Sequence, residues 1–546
     1  MADADFEAAE FDYIVVGAGS AGGVVAGRLS EDPRSEVLLL EAGGTDRTKL
    51  CTVPGMVSII HTTPQVKKKY DWGYYTEPQP NGANRRIPYV RGRVLGGSSA
   101  INGMVYVRGN KQNYDDWAAE GCAGWGWNDA LRNFKRLEDW KDGANEYRGA
   151  GGPVRVTAAD DMTPATRAFI EATADTCGVP VLADYNGATQ EGIGACQMNA
   201  KDGLRFSSSE AYVHPATERP NFRVKTGAIV SRVIIEKGRA VGVELIEKGQ
   251  RKVVRARREV VLSAGVIGSA QILMLSGVGP AAELKAHGIN PVADLPVGKN
   301  LHDHLFVPLT YLAPQAIHRG TAMHFFSGMI AEAFRGGTWF ARTVFEGMGF
   351  VSSSKARPGV PDIQLHCLPW SYPSPNQDAP VRPQVDKRPA LTVMPTLIYP
   401  KSRGEVTLTS SDPTAAPKID PHFLEDGDDR RLLLEGIKLV REIMANKRLG
   451  DVVSGELHPG PEYASDAAIA AELPNRIHTV YHPVGTCRMG AADDARTVVD
   501  PSLRVLGIEG LRVADASIMP TVTGGNTNAP SMMIGERCAE LLRAPN

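Results

Sequence analysis

Two short segments near the end of the chain carry the side chains best suited to chemistry: Tyr481-His482-Pro483-Val484-Gly485-Thr486 and Gly525-Asn526-Thr527-Asn528-Ala529-Pro530. Imidazole titrates near neutrality and can take a proton, and a primary amide can donate a hydrogen bond to an oxygen that gains negative charge. His482 and Asn526 are therefore a candidate base and its hydrogen-bonding partner. The competing explanation, a buried histidine satisfied beside a rigid turn, must hold for most of the 12 histidines. A third segment, Gly17-Ala18-Gly19-Ser20-Ala21-Gly22, speaks of binding rather than reaction. Gly17 permits a tight turn, Gly19 lets the backbone approach a diphosphate, and Gly22 lets a helix pack closely on a strand.

The glycine turn has the flanking elements it needs. Phe11-Asp12-Tyr13-Ile14-Val15-Val16 reads as a buried strand before it, and residues 23–29 as a helix of small residues after it. A second apolar run, Glu36-Val37-Leu38-Leu39-Leu40, ends in Glu41, where a carboxylate can bind an adenosine ribose and repel a 2′-phosphate. NADP is thereby disfavoured, and NAD and FAD both stay open. Two later runs have the same form: Val260-Val261-Leu262-Ser263-Ala264-Gly265 with a helix over 269–275, and Leu511-Arg512-Val513-Ala514-Asp515. Such distant pieces predict a nucleotide-binding domain interrupted by insertions. Alternating runs at 154–156, 222–224, 232–235, 391–399 and 405–409 predict a second, largely antiparallel sheet. The proline-rich stretch 373–389 reads as a surface loop.

Composition excludes several classes. A chain of 546 residues exceeds the usual size of one hydrophobic core, so two or three domains are expected, and 42% hydrophobic residues can fill them. A net charge of −2 gives no electrostatic case for nucleic acid. Met1-Ala2-Asp3-Ala4-Asp5 lacks the basic and apolar parts of a secretion signal, and no apolar run is long enough for a membrane span, so a soluble cytoplasmic protein is expected. The 7 cysteines show no CxxC spacing and fit reduced thiols. His302-Asp303-His304 could share a metal, but no third ligand cluster accompanies it, so no metal is expected.

Taken together, the motifs resemble the glucose-methanol-choline oxidoreductases, FAD enzymes that oxidise alcohols. The resemblance rests on the glycine turn with Glu41-Ala42-Gly43-Gly44, on Gly92-Arg93-Val94-Leu95-Gly96-Gly97-Ser98-Ser99-Ala100-Ile101-Asn102-Gly103, and on Ser276-Gly277-Val278-Gly279-Pro280. It also rests on the His482 segment and on Val513-Ala514-Asp515-Ala516-Ser517. Within the family the chain looks most similar to choline oxidase and dehydrogenase and to bacterial aryl-alcohol and furfural-alcohol oxidases. The resemblance implies an α/β chain with a discontinuous Rossmann-like FAD-binding domain (1–158, 215–305 and 485–546). The remaining segments, 159–214 and 306–484, form a substrate domain with a large, mostly antiparallel sheet flanked by helices. It implies adenosine contacts at Ser20, Ala21, Glu41 and Ala42, with Val230 offering its backbone to adenine. Trp72, Val94, Gly96, Asn102, Gly103, Met104 and Val105 would follow the pyrophosphate and isoalloxazine. Ala264, Asp515, Ala516, Asn526 and Asn528 would close over the flavin. Asn528, followed by Ala529-Pro530, also reads as the cap of a helix over 531–542 whose positive end faces the flavin. Some members attach the flavin through a histidine just before Asn102; Ile101 stands there, so the FAD is expected to be non-covalent.

With that cofactor the opening pair acquires a reaction. Hydride leaves an alcohol carbon readily only when the hydroxyl proton is removed, so His482 is the expected general base, with Asn526 donating to the alkoxide. Phe306 stands where choline-oxidising relatives hold a glutamate against the quaternary ammonium, which favours a neutral or aromatic alcohol. Phe306, Val480 and Tyr481 are the candidate pocket residues. The aromatics Phe325, Phe326, Phe334, Trp339, Phe340, Phe345 and Phe350 serve equally well as a pocket roof or as core. The small apolar Val480 favours oxygen over a quinone-type acceptor. Lyases of the same fold, which do not use flavin redox chemistry, are the alternative class, and oligomerisation is left open.

Overall fold

The computed structural model describes residues 10–314, 321–341, 345–372 and 387–544. The expected proline-rich surface loop therefore lies, for residues 373–386, outside the described residues.

The strand Glu10–Val16 is buried at every position after Glu10. It pairs in parallel with Val37–Leu40 on one side and with the second half of Gln250–Leu262 on the other. Phe222–Lys225 extends this parallel set beyond Val37–Leu40, and Leu511–Val513 extends it beyond Gln250–Leu262. Parallel strands covered on both faces need apolar side chains all along, which explains why Val37-Leu38-Leu39-Leu40 shows no alternation. The first half of Gln250–Leu262 instead closes an antiparallel meander with Arg239–Glu247 and Ala228–Glu236. The helix Gly22–Leu29 crosses one face, and Asn528–Arg543 packs on it backbone to backbone. A Cβ on Gly535 would stand 2.6 Å from Ala21 O. Glu536, fully buried in the second helix, receives Arg28 Nε at 2.8 Å and Tyr212 Oη at 2.6 Å, so three distant segments share one carboxylate.

The second large sheet runs Gly455–His458, Leu309–Leu312, Ala390–Leu397, Ile363–Leu368, Gly347–Val351 and Gly192–Ala195, antiparallel throughout. Leu305–Phe306 bridges Ala390–Leu397 to His478–Thr479 at its edge. The expected antiparallel sheet exists, but its membership differs from the sequence reading. Phe222–Lys225 and Ala228–Glu236 belong to the first sheet, and Val154–Ala158 to a small separate one. Glu405–Thr407 pairs with Lys418–Asp420 in a separate two-stranded sheet. Of the five alternating runs, Ala390–Leu397 alone joins the large sheet, and it is buried at every position. Alternation reports one polar face and not which sheet the strand joins. The helix Gly427–Met444 covers one face of the large sheet, close enough that a Cβ on Gly436 would lie 3.0 Å from Pro395 Cβ. Among the described residues no helix is long and apolar enough to cross a membrane, and all seven cysteines are free.

Candidate active site

The parallel strands deliver their carboxyl ends to one cavity of about 420 Å³, lined by Gly17, Glu41, Ser263, Ala264 and Asp515. Gly17 stands at φ +97°, where a Cβ would lie 2.4 Å from Ser263 O. A Cβ on Gly22 would lie 1.9 Å from Gly17 O, so the helix approaches the turn as closely as backbone allows. Gly19 differs from both. The nearest atom to its Cβ position is Gly97 Cα at 4.0 Å, leaving this backbone open along the cavity. The helix Gly22–Leu29 begins just behind Gly19, Ser20 and Ala21, which line the cavity, and it has no side-chain cap.

Glu41 holds this end together. Its carboxylate accepts Ala18 N–H at 3.0 Å and Gly43 N–H at 2.8 Å, and burial raises its pKa to about 7 against those hydrogen bonds. Asp515 accepts from Gly265 N at 2.9 Å, Ser269 Oγ at 2.6 Å and Ser517 N at 2.8 Å, fixing two strand ends. Asn528 is not a helix cap. The N-cap position of Asn528–Arg543 is Thr527, with no capping side chain. Asn528 Oδ1 instead accepts Ser20 Oγ–H at 2.7 Å, and its Nδ2 donates to Asn199 Oδ1 at 3.2 Å, tying the two cavity-facing helix ends together.

Among the other expected cofactor residues, Ser20, Ala21, Ala42, Trp72, Asn102, Gly103, Met104, Val105, Val230 and Ala516 line the cavity. Gly22, Val94 and Gly96 do not. Val94 is fully buried behind the wall, bridged to Gly44, and Gly96 donates to Ala18 O at 2.8 Å. Met104 adopts φ +64°, with its amide donating to Asn102 Oδ1 at 2.9 Å.

His482 and Asn526 meet at the other end. Asn526 Nδ2 lies 3.1 Å from His482 Nε2. His482 Nδ1 lies 3.1 Å from His304 Nδ1, with the two rings perpendicular. Tyr481 is held at φ +64° before the histidine, and its carbonyl accepts from Arg91. Asp303 fixes the same turn by accepting from His482 N at 2.8 Å and from Thr479 Oγ1. Burial pushes Asp303 up to about 6, opposed by Thr479 and Arg91. The His482 ring borders the cavity while the protein around it strips away water. That desolvation, with His304, His366 and Arg91 adding to it, holds the imidazole well below its usual range. Burial thus takes the His482 ring below the near-neutral titration that imidazole shows in water and favours its uncharged form.

His302-Asp303-His304 is used for positioning. His302 is enclosed by Asn300 O at 2.7 Å and Val522 N at 3.0 Å. Phe306, Val480 and Tyr481 all line the cavity. Phe306 packs edge-on against Tyr372 at 5.6 Å. Of the aromatics offered as a roof, Phe345 lines the cavity. Phe325 and Phe340 pack on each other, Phe350 packs on Tyr185, and Phe326 and Phe334 face solvent. Three polar residues of this end escaped the sequence reading: Gln364, His366 and the partnership of His304. Gln364 Nε2 donates to Asn526 Oδ1 at 3.0 Å, and His366, which lines the cavity, meets Thr396 Oγ1 through Nδ1 at 3.2 Å. Their signal was present in Ile363-Gln364-Leu365-His366-Cys367-Leu368, where polar residues alternate within an otherwise apolar strand.

Residues 11–306 and 400–535 match the two models described as GMC oxidoreductase. An alcohol dehydrogenase (acceptor) of Pseudomonas putida is 41% identical over 540 residues, 97% of this chain and 95% of that protein. An oxygen-dependent choline dehydrogenase of Vibrio vulnificus is 41% identical over 541 residues, 97% of this chain and 94% of its own length. Among solved structures, pyridoxine 4-oxidase from Mesorbium loti superposes with a TM-score of 0.86 at 32% identity, covering 97% of this chain and 99% of that one.

Proposed function

The chain belongs to the GMC oxidoreductases, and from that premise we propose that it oxidises a neutral or aromatic alcohol to an aldehyde or ketone, with non-covalent FAD and with His482 as the base. The observation that carries this reading is the 3.1 Å contact between Asn526 Nδ2 and His482 Nε2, set at the apolar end of a cavity whose other end is the glycine turn.

The cavity fits the cofactor on physical grounds. Gly19 leaves open backbone where a diphosphate would lie, and two helices start at the wall without side-chain caps, turning their positive dipole ends toward an anion. Ile101, a hydrocarbon side chain, supports non-covalent binding. Bound FAD supplies the acceptor for hydride. The protein supplies the proton chemistry: His482, neutral at working pH, takes the hydroxyl proton on Nε2, and Asn526 offers an N–H to the resulting alkoxide. Held by Asp303 and Arg91, the base does not need to reorganise on substrate binding.

The wall supports the substrate class. Phe306, Phe345, Tyr372 and Tyr481 surround this end, and among the described residues no carboxylate lines it. A quaternary ammonium would meet aromatic faces but no counter-ion, which separates this site from the choline chemistry named for the Vibrio relative. Val480, small and apolar beside the base, supports oxygen as the electron acceptor.

An anaerobic visible spectrum during titration with neutral aliphatic, aromatic and cationic alcohols tests the reading. Bleaching by neutral or aromatic alcohols, with fast recovery in air, is expected. Slow recovery would assign another acceptor, and absence of bleaching by any alcohol would transfer the chain to the lyase class.

A further inference from the structure

The hydrogen bonds at the reaction end form a chain with a direction, and the chain starts at Gln364. This residue is fully buried on Ile363–Leu368, on the face turned toward Asn526. Its Nε2 lies 3.0 Å from Asn526 Oδ1 and 3.1 Å from Met348 Sδ. A thioether sulfur has no proton to give, so the Gln364 atom that faces it and Asn526 together must be the donor, with one N–H for each. Asn526 is then held with its oxygen toward Gln364 and its nitrogen toward His482 Nε2. An N–H aimed at Nε2 requires a lone pair there, so the neutral ring carries its proton on Nδ1. His304 Nδ1, 3.1 Å away, is the acceptor for that proton. Reversing Asn526 would set its N–H against the Gln364 N–H, and reversing Gln364 would set its oxygen against Met348 Sδ and Asn526 Oδ1.

Resting on the reading of His482 as the base, we propose that Gln364 is a positioning residue: by fixing the Asn526 amide it keeps His482 in the Nδ1–H tautomer, so that the single Nε2 lone pair, held by the Asn526 N–H in the free site, passes to the substrate hydroxyl as that N–H turns to the substrate oxygen. Gln364 is fully buried and does not line the cavity. Its influence passes through Asn526, and Met348 selects its orientation. The opposite tautomer would put a proton on Nε2, where the base must be bare.

The test uses Gln364→Glu and Gln364→Leu in the FAD-loaded enzyme. A carboxylate at 364 can only accept, so it turns Asn526 around and points the amide oxygen at His482 Nε2. Nitrogen-15 NMR of histidine-labelled protein, with His482 assigned by its absence from a His482→Gln control, is expected to show a bare Nε2 in the parent and a protonated Nε2 in Gln364→Glu. The limiting rate of anaerobic flavin reduction should fall roughly a hundredfold in Gln364→Glu, with the apparent substrate Kd changed less than about threefold. Gln364→Leu, which frees the amide to turn, should show both tautomers and an intermediate rate, and it decides the matter if the glutamate variant does not fold. A parent-like tautomer and rate in the folded variants overturns the proposal. Should no alcohol reduce the parent's flavin, the functional reading fails by itself, while the tautomer measurement still decides the role of Gln364.

Discussion

The two ends of the cavity are built on opposite principles. At the glycine turn, backbone does the work: Gly17, Gly19 and Gly22 act by lacking a side chain, within six consecutive residues. At the reaction end, His304, Gln364, His482 and Asn526 come from four separate segments, and each is joined to the next through a side-chain nitrogen or oxygen. The first end admits no added atom at Gly17 or Gly22, and Glu41 is the titrating side chain that braces it. The second, on the proposal made for Gln364, depends on which nitrogen carries a hydrogen. Binding is then a matter of shape, and reaction a matter of hydrogen-bond direction.

The largest effect should come from the reaction end. His482→Ala is expected to lower the limiting rate of flavin reduction about a thousandfold, equivalent to about 4 kcal/mol of barrier, with FAD content unchanged. Undiminished reduction by stopped-flow would remove His482 from the mechanism. Because burial holds the imidazole well below its usual range, the parent rate should also stay flat as pH falls through the ordinary histidine region.

Two glycine variants sharpen the contrast within the turn. Gly22→Ala places a methyl 1.9 Å from Gly17 O and should cost about 3 kcal/mol, seen in thermal denaturation of the apoprotein. Gly19→Ala points its methyl into the cavity, so the apoprotein should melt as the parent does while FAD binds at least about tenfold more weakly. Equal melting losses in both would show that Gly19 serves packing rather than the ligand.

Glu41 links the two principles, being a side chain at the backbone end. Its pKa rises from 4.5 to about 7 on folding, so the native apoprotein holds a proton that the unfolded chain releases between those values. Stability therefore falls as pH rises through that window, by an amount on the order of 3 kcal/mol. Urea unfolding should show this slope in the parent and its loss in Glu41→Gln. Identical slopes would mean that the carboxylate is already ionised when buried. The smallest effect is one of selectivity: Phe306→Glu should shift the preference between a quaternary ammonium alcohol and its neutral carbon analogue about tenfold toward the cation, measured as a ratio of kcat/KM.

Legibility in the sequence followed the same division. The strand, turn and helix around Gly17 could be read because their pattern is local and every part lies within a few residues of the next. His482 and Asn526 could be singled out as types, and the resemblance gave them roles. Their contact, across 44 residues, could not be derived from spacing. The differences are of one kind. Alternating runs show a half-exposed strand without showing its sheet, and Asn528 sits where Ala529-Pro530 looks like a first helical turn, yet its side chain bonds across the molecule to Ser20 and Asn199 instead of capping. Local pattern predicts that an element exists, whereas its partner is chosen by long-range packing.

What the sequence by itself determined is the nucleotide turn, its strands, and the presence of a histidine and an asparagine in unusual surroundings, since periodicity and glycine placement act over short range. Only the tertiary structure decided that His304 and Gln364 lie beside His482 and Asn526, that Phe345 and not Phe326 faces the cavity, and that burial holds the His482 imidazole below its usual range. Those properties arise from desolvation and from the direction of hydrogen bonds between segments far apart in the chain, and neither exists until the two sheets and the closing helix come together.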